Sequence, residues 1–280
     1  MTSTSERIAA LDGTSLLVRH WTAPQPWASL LLIHGVAEHS GRYEHVGDAF
    51  ATAGIETEGL DLRGFGGSEG PRASVDRWSM FHDDVAIRLT ALRATAPGRP
   101  VVLYGHSMGG LVALGYALDG RPQPDLLVLS APAIAAALPA WQRALVGILR
   151  HVAPGTKVPN KLDGEQLSRD PAVGAAYLAD PMNVHHSTVR LGATAFDEMA
   201  RVRASLDRLA IPTLVIHGGE DPLVPTATSE VLGALPGVTR IVHPGLRHET
   251  HNEPERDAVI QGVIDWIRAN VPGPAYDGGN

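Results

Sequence analysis

Ser107 lies in a stretch whose residue types could make it a nucleophile. Residues 105–109 read Gly-His-Ser-Met-Gly, the pattern glycine, any residue, serine, any residue, glycine. The apolar residues 101–104 predict a buried strand before the serine, and the apolar residues 111–118 predict a helix after it. The two glycines let neighbouring backbone pass close to a serine held in a strained conformation. The pattern therefore predicts that Ser107 is a nucleophile. The free N–H groups at the start of the helix would stabilise an oxyanion that forms beside it.

The acid that such a serine needs is expected after a late strand. A serine hydroxyl is a weak nucleophile and requires a base and an acid; without them Ser107 would be an ordinary serine at a helix start. Residues 212–216 predict a buried strand, and Glu220 and Asp221 follow it. Asp221 is preferred because the proline after it fixes a turn.

Three histidines near the end of the chain could be the base. His243 still lies at the end of the strand predicted over residues 239–242. His248 follows a glycine turn, where the chain returns over the sheet edge, so it is preferred, with His251 as the alternative. In this arrangement the histidine takes the serine proton, and the acid orients the imidazole.

The order serine, acid, histidine is the order of α/β-hydrolases, which also need two backbone N–H groups to hold an oxyanion. A glycine-containing loop over residues 34–43 follows the strand predicted over residues 29–33. We assign the two donors to the N–H groups of Val36 and Met108. Without the serine motif, His34 and its glycine would be interpreted as an ordinary strand end with a core histidine.

The composition excludes several classes of function. Of the 280 residues 44% are hydrophobic, enough for one large core, and none is cysteine, which excludes disulfides, thiolate catalysis and cysteine metal sites. The net charge of −7 and the lack of a basic run argue against a nucleic-acid partner. The expected chemistry needs no metal and no organic cofactor. No signal-peptide pattern and no membrane-spanning run are visible, so a cytoplasmic protein, with peripheral membrane contact left open, is expected.

Strands and helices alternate up to residue 130, which predicts an α/β fold with a mostly parallel sheet and helices on both faces. We expect residues 1–131 and 210–280 to form the core and residues 132–209 to form an inserted helical cap with no convincing strand. Within the core, Asp61 and Arg63 are expected to brace a glycine-rich loop. The adjacent acids Asp83 and Asp84, on a helix predicted over residues 74–95, are interpreted as solvated or capping residues.

Apolar residues recur at helical spacing near the start of the insertion. They are Leu138, Trp141, Leu145, Ile148, Leu149 and Val152. The preferred interpretation is an amphipathic helix packed on the body of the protein. The alternative is a mobile cap whose apolar face makes transient contact with a lipid interface.

Together these stretches resemble the monoacylglycerol lipase family of serine hydrolases, in its bacterial form. The resemblance covers nearly the whole chain and is carried by residues 34–43, 61–68, 105–110, 168–171 and 248–256. It implies an α/β-hydrolase fold, an apolar acyl tunnel under the cap, and His248 as the base. It also implies that Glu38, Arg42 and His251 lie at the polar end, where glycerol hydroxyls would be recognised. Ala37 departs from the family, which usually has glycine there, and His251 stands where bacterial relatives often carry an apolar residue.

The function expected from these residues is hydrolysis of a small lipid ester, a monoacylglycerol, through an acyl-enzyme on Ser107. A general carboxylesterase or a lysophospholipase with the same three residues is the alternative, because these enzymes differ in the cap pocket. A lipid-binding module on a hydrolase fold is the non-enzymatic alternative. The sequence gives no indication of oligomeric state.

Overall fold

The computed structural model describes residues 3–136, 139–160 and 162–271. The strands are β1 (Thr4–Ala9), β2 (Ser15–Trp21), β3 (Ala28–Ile33), β4 (Ile55–Leu60), β5 (Val101–His106), β6 (Leu126–Ser130), β7 (Lys157–Pro159), β8 (His186–Thr188), β9 (Thr213–Gly218) and β10 (Val238–His243). The α-helices are α1 (Glu44–Thr52), α2 (Ser79–Thr95), α3 (Met108–Ala117), α4 (Ala140–Val152), α5 (Gly164–Leu167), α6 (Pro171–Ala179), α7 (Val189–Arg203), α8 (Glu230–Gly233) and α9 (Arg256–Asn270). Short 3-10 helices span Ser40–Tyr43, Leu206–Arg208, Thr226–Ser229 and Thr250–Asn252.

One eight-stranded sheet runs through the protein in the order β1-β2-β4-β3-β5-β6-β9-β10. β2 pairs antiparallel with β1 and β4, and the pairings from β4 across to β10 are parallel. β3, β5 and β6 are buried along their whole length. Parallel strands that are covered on both faces have apolar residues at consecutive positions, so these strands could be predicted from the sequence. The predicted mostly parallel sheet is confirmed.

Helices cover both faces of this sheet. Successive side chains of a strand point to opposite faces, so each central strand feeds two cores. Leu31 and Leu103 belong to the core covered by α2 and α3, whereas Leu30 and Val102 belong to the core covered by α1 and α9. Each such side chain, fully buried, stabilises the fold by about 1.5–3 kcal/mol. The predicted α/β-hydrolase arrangement, with helices on both faces, is therefore confirmed.

The segment between β6 and β9 contains α4 to α7 and also the short strands β7 and β8. These strands pair antiparallel in a ribbon of their own, with Val158 opposite Ser187. The prediction that this segment holds no strand is wrong. Strands of three residues are too short to show the period-two alternation by which a strand is recognised.

The apolar stripe of α4 faces outward. Trp141 is 66% exposed, Ile148 62% and Val152 72%, and Leu145 is exposed as well. The preferred interpretation, a helix whose apolar face packs on the body, is therefore wrong for this face, and Leu138 lies outside the described residues. Along the described ranges, every helix is too short or too polar to cross a membrane.

Two local predictions in the core also need correction. α2 begins at Ser79 rather than at residue 74, and residues 74–78 lead into it without α-helical structure. Asp84 is buried rather than solvated, and its two carboxylate oxygens accept hydrogen bonds from Arg63 at 2.6 and 2.7 Å. Arg63 and Asp61 do brace the glycine-rich loop: the Asp61 carboxylate accepts the Gly67 N–H at 2.8 Å.

Candidate active site

Ser107 sits on the sharp turn that joins β5 to α3. Its backbone is strained, with φ 52° and ψ −115°, a conformation that costs a residue with a side chain roughly 1–3 kcal/mol. A Cβ atom added to Gly109 would lie 2.2 Å from the carbonyl oxygen of Ile33, and one added to Gly105 would lie 2.3 Å from that of Gly109. The predicted steric need for both glycines and the predicted strain at the serine are confirmed.

Asp221 and His248 form a buried hydrogen-bonded pair. The Nδ1–H of His248 donates to Oδ2 of Asp221 at 2.7 Å, while the N–H groups of Leu223 and Val224 donate to Oδ1 at 2.8 and 2.9 Å. Burial raises the pKa of Asp221, but hydrogen bonds from His217 and His248 outweigh burial and hold that pKa well below its usual range. Asp221 is therefore ionised, and the Nδ1 bond leaves the Nε2 of His248 available to accept a proton.

Of the three histidines considered as base, His248 is the one bonded to Asp221. His243 is the last residue of β10, half-buried, and pairs with Gly218 of β9 through its backbone. His251 is only 1% exposed; its ring stacks on Tyr43 at 4.8 Å between centroids and lies edge-on to His106 at 4.9 Å. Within the described part of the chain neither ring nitrogen of His251 has a hydrogen-bond partner.

Ser107 and His248 line one cavity of about 290 Å³. Its apolar lining, here called the apolar side, consists of Ala133, Ala135, Ala136, Leu162, Leu167, Leu223 and Val224. Its polar lining, here called the polar side, consists of Glu38, Arg42, Tyr177 and Glu249, which are joined through contacts to Arg42. A cavity that has both kinds of lining and a nucleophile suits a substrate that is itself amphipathic.

Val36, one of the two predicted oxyanion donors, also lines this cavity, beside Gly35. Met108 is the first residue of α3, so its N–H has no partner within the helix. Next to Val36, Ala37 has a φ of 67°, the left-handed region where glycine is usual, and its buried methyl group packs against Leu167 and Tyr177. The predicted extra methyl group beside the oxyanion loop thus contacts the inserted segment.

Arg42 holds the polar side of the cavity together. Its guanidinium donates to both carboxylate oxygens of Glu249 at 2.7 and 2.8 Å and to Glu38 at 2.5 Å. Burial lowers the pKa of Arg42, but the two carboxylates outweigh burial and raise it well above its ordinary value. The Arg42 guanidinium carbon lies 5.0 Å from the centre of the Tyr177 ring. Glu38 also accepts the Gly35 N–H at 2.6 Å, which ties this network to the loop beside Ser107.

The structure thus brings together most of the predicted site residues. Ser107, Val36, Glu38, Arg42 and His248 line the cavity, and Asp221 stands directly behind His248. Met108 follows the serine, whereas His251 lies outside the described wall of the cavity, behind His106.

Sequence reasoning missed two residues of the polar side, Glu249 and Tyr177. Glu249 follows His248 directly, and an acid next to a candidate base was the one indication that the sequence offered. Tyr177 lies in α6, far from every motif that was judged catalytic, and its position shows only in three dimensions.

His34 and His106 are neutral core histidines near the serine. The Nε2 of His34 accepts the Leu62 N–H at 2.9 Å and its Nδ1 lies 2.7 Å from the Gly35 carbonyl oxygen, so the alternative interpretation of a satisfied core histidine describes it correctly. His106 lies with its ring 4.7 Å from that of His248. Burial, and then the nearby His248, lower the pKa of His106 to about 3. Among the described residues, no cluster of three or more histidines and acids could hold a metal ion.

Comparison with known proteins identifies the family of the chain. The family model described as serine aminopeptidase, S33, matches residues 24–255. A monoacylglycerol lipase from Mycolicibacterium smegmatis is 37% identical over 96% of this chain and 99% of its own length. The crystal structure of a Paleococcus ferrophilus monoacylglycerol lipase superposes with a TM-score of 0.79 at 26% identity, covering 96% of this chain and all of that one. A soluble variant of monoglyceride lipase from Saccharomyces cerevisiae, solved with a substrate analog, has the same fold, with a TM-score of 0.85 at 21% identity over 96% of both chains. The chain belongs to the monoacylglycerol lipase family of serine hydrolases, within the family described as serine aminopeptidase, S33.

Proposed function

We propose that this protein hydrolyses monoacylglycerols to glycerol and fatty acid, with Ser107 as nucleophile, His248 as base and Asp221 as the acid that orients it. The observation that carries the proposal is the 2.7 Å bond between His248 and Asp221 behind a cavity that Ser107 shares. The 37% identity with a mycobacterial monoacylglycerol lipase supports the substrate class.

The reaction proceeds through an acyl-enzyme. His248 takes the proton of the Ser107 hydroxyl as its oxygen attacks the ester carbonyl. The N–H groups of Val36 and Met108 hold the oxyanion of the tetrahedral intermediate. His248 then protonates the departing glycerol oxygen, and a water deprotonated by the same histidine releases the fatty acid. Asp221 stabilises the imidazolium in both halves of the reaction.

The two sides of the cavity match the two ends of the substrate. Glu38 and Arg42 offer charged hydrogen-bonding groups to the glycerol hydroxyls, and Tyr177, whose hydroxyl is buried without a partner among the described residues, faces the same side. The acyl chain lies along the apolar side. The alanines 135 and 136 of that side also line a neighbouring groove of about 640 Å³, which gives a long chain room to continue.

Residues 132–209 act as the cap over this cavity, and α4 makes transient contact with a lipid interface from which the substrate is taken. Trp141 and Ile148 are large apolar side chains left exposed on one face of α4. Arg150 pairs with Asp197 of α7 at 2.6 Å, which holds the opposite side of α4 on the protein. A helix with an exposed apolar face and a polar opposite face suits peripheral binding to lipid.

The catalytic proposal is tested by hydrolysis of a panel of esters. The panel holds monoacylglycerols of several chain lengths, a diacylglycerol, a triacylglycerol, a lysophospholipid and a short p-nitrophenyl ester. We expect preference for monoacylglycerol, and we expect Ser107→Ala and His248→Ala to lower kcat by at least about 10⁴-fold. His243→Ala is the matched control and keeps its activity.

Each other outcome points to a named alternative. Turnover of the p-nitrophenyl ester alone would leave a general carboxylesterase, and preference for the lysophospholipid would make the protein a lysophospholipase. Lipid binding without turnover, by folded protein, would leave the binding module. Full activity of His248→Ala would remove His248 as the base.

The lipid-contact proposal needs its own variants. Trp141→Ser with Ile148→Ser is expected to lower binding to lipid vesicles and the rate on vesicle-borne monoacylglycerol several-fold, while the rate on the p-nitrophenyl ester stays unchanged. Leu11→Ser is the matched control, because Leu11 is even more exposed than Trp141 and Ile148 but lies in the turn between β1 and β2. Equal vesicle binding by both variants would contradict the proposal.

A further inference from the structure

His217 is a buried histidine that the proposed mechanism does not use. It is the penultimate residue of β9 and is fully buried. Its Nε2 lies 2.8 Å from the carbonyl oxygen of Val224 and 3.2 Å from Oδ2 of Asp221. Its Nδ1 lies 2.9 Å from the hydroxyl of Ser229. The His217 ring therefore lies between the Asp221 carboxylate, which binds His248, and Val224 in the loop that follows β9.

The contacts decide which nitrogen of His217 carries a hydrogen. A carbonyl oxygen can only accept, so the Nε2 at 2.8 Å from Val224 must be the donor. The same Nε2 lies 3.2 Å from Oδ2 of Asp221, so the N–H that bonds to Val224 also lies beside the carboxylate. His217 thus presents a hydrogen to the carboxylate oxygen that also accepts the Nδ1–H of His248.

This contact completes the set of donors around the carboxylate. Oδ1 of Asp221 accepts two backbone N–H groups, and Oδ2 accepts His248 on one side and faces His217 on the other. The Asp221 side chain is fully buried. A carboxylate oxygen that lacked a hydrogen-bond donor there would lose its hydration without compensation, which would destabilise the folded protein. With all four donors present, the carboxylate has one favourable orientation, the one that holds His248.

His217 is itself fixed from two sides. The Ser229 hydroxyl beside its Nδ1 accepts a hydrogen bond from Nε of Arg240 at 3.0 Å. A Cβ atom added to the next residue, Gly218, would lie 2.0 Å from the carbonyl oxygen of Arg247, so the chain that leads into His248 passes directly over the end of β9. The relative positions of His217 and His248 are therefore set by backbone packing.

We propose that His217 is a positioning residue, which through its Nε2–H fixes the Asp221 carboxylate for His248. This inference rests on the proposed function, because it takes Asp221 as the acid of the catalytic set. Its loss lets the carboxylate tilt and leaves Oδ2 with a single donor, which makes that oxygen more basic. Both changes act on His248 and leave the substrate cavity as it is.

The test compares His217→Leu, which removes the donor, with His217→Gln, whose side-chain amide restores one. We expect His217→Leu to lower kcat by about 10–100-fold with KM changed less than about threefold, and His217→Gln to stay within about threefold of wild type in kcat. His82→Leu is the matched control: it removes a buried histidine from α2, away from the cavity, and leaves kcat unchanged.

Equal losses in His217→Leu and His217→Gln, or a change in KM as large as the change in kcat, would overturn the inference and leave His217 a core residue. If both variants fail to fold, histidine-selective ¹⁵N NMR of the wild type decides, since a His217 protonated on Nδ1 alone would refute the assigned donor. Asp221→Asn distinguishes a failure of the role proposed for His217 from a failure of the proposed catalytic residues. Its inactivity beside an unaffected His217→Leu removes only the role of His217, whereas an active Asp221→Asn removes the proposed catalytic set.

Discussion

Removing the Arg42 guanidinium is expected to destabilise this protein strongly. Its side chain is 10% exposed, and it lies between Glu38 and Glu249, whose side chains are each 3% exposed. Arg42→Met keeps an unbranched apolar stem but removes the guanidinium and leaves two buried carboxylates without their cation. Breaking a buried ion pair in this way costs about 3–5 kcal/mol. At about 2–4 °C per kcal/mol for a chain of this size, we expect a melting temperature lower by about 6–20 °C.

The pH dependence of this loss distinguishes the charge from simple packing. Burial raises the pKa of Glu249, but Arg42 outweighs burial and holds it well below its ordinary value of 4.5. A carboxyl group with a depressed pKa stabilises the fold fully above its unfolded pKa, and that contribution is lost as the pH falls below it. In Arg42→Met burial dominates, the pKa of Glu249 rises, and the variant gains stability as the carboxyl is protonated. As the pH falls, the difference between wild type and variant should therefore begin to shrink above pH 4.5, where folding of the variant takes up a proton, and should shrink further below it, where the wild type loses its own contribution.

Thermal unfolding at several pH values between 4 and 8 measures both effects. Arg150→Met is the matched control, because the Arg150–Asp197 pair is exposed and is expected to contribute less than about 1 kcal/mol. The prediction is refuted if Arg42→Met lowers the melting temperature no more than Arg150→Met does. It is also refuted if the loss is the same at pH 4 and pH 7, since packing alone has no such pH dependence.

Buried groups elsewhere give three further predictions. His251→Leu should keep or raise the melting temperature at pH 7, and its melting temperature should fall less than that of the wild type between pH 6.5 and 5. Burial lowers the pKa of His251, so the wild-type side chain takes up a proton when the protein unfolds. This uptake lowers the free energy of unfolding by up to about 1.4 kcal/mol per pH unit. Arg63→Met should lower the free energy of unfolding in urea by about 3–5 kcal/mol, against less than about 1 kcal/mol for the more exposed Arg121→Met. Ala37→Gly should change stability by less than about 1 kcal/mol, because relief of left-handed strain offsets the lost methyl contact and the more flexible unfolded chain; a loss above about 2 kcal/mol in thermal unfolding would contradict this balance.

The fold was predictable because its central strands are covered on both faces. Continuous apolar runs such as residues 101–104 and 126–129 indicate strands that are buried on both faces, and glycine or proline lies near their ends. The three-residue strands β7 and β8 show no such pattern. The sequence therefore predicts only helices for residues 132–209. The orientation of α4 was not predictable either, because a periodic apolar face looks the same in sequence whether it meets the core or the solvent.

The candidate site was predictable where its residues stand in local motifs. Ser107, Asp221 and His248 each follow a strand of one parallel sheet, so their carboxyl-end positions bring them to the same edge. Glu249 was missed because its partner Arg42 lies 207 residues away, and a sequence shows no pairing at that distance. The placement of His251 at the polar end came from resemblance, and the structure instead buries its ring against Tyr43.

The polar side of the cavity is built jointly by the sheet-bearing body and by the segment between β6 and β9. Tyr177 of α6 lies over the Arg42 guanidinium, which the body holds through Glu38 and Glu249. A cation on an aromatic face contributes about 2 kcal/mol once it is desolvated, and the ion pairs beneath gain strength from the same exclusion of water. If α6 moves away, water reaches Arg42 and both contributions fall together. Opening the cavity and weakening its polar side are therefore a single event in this fold.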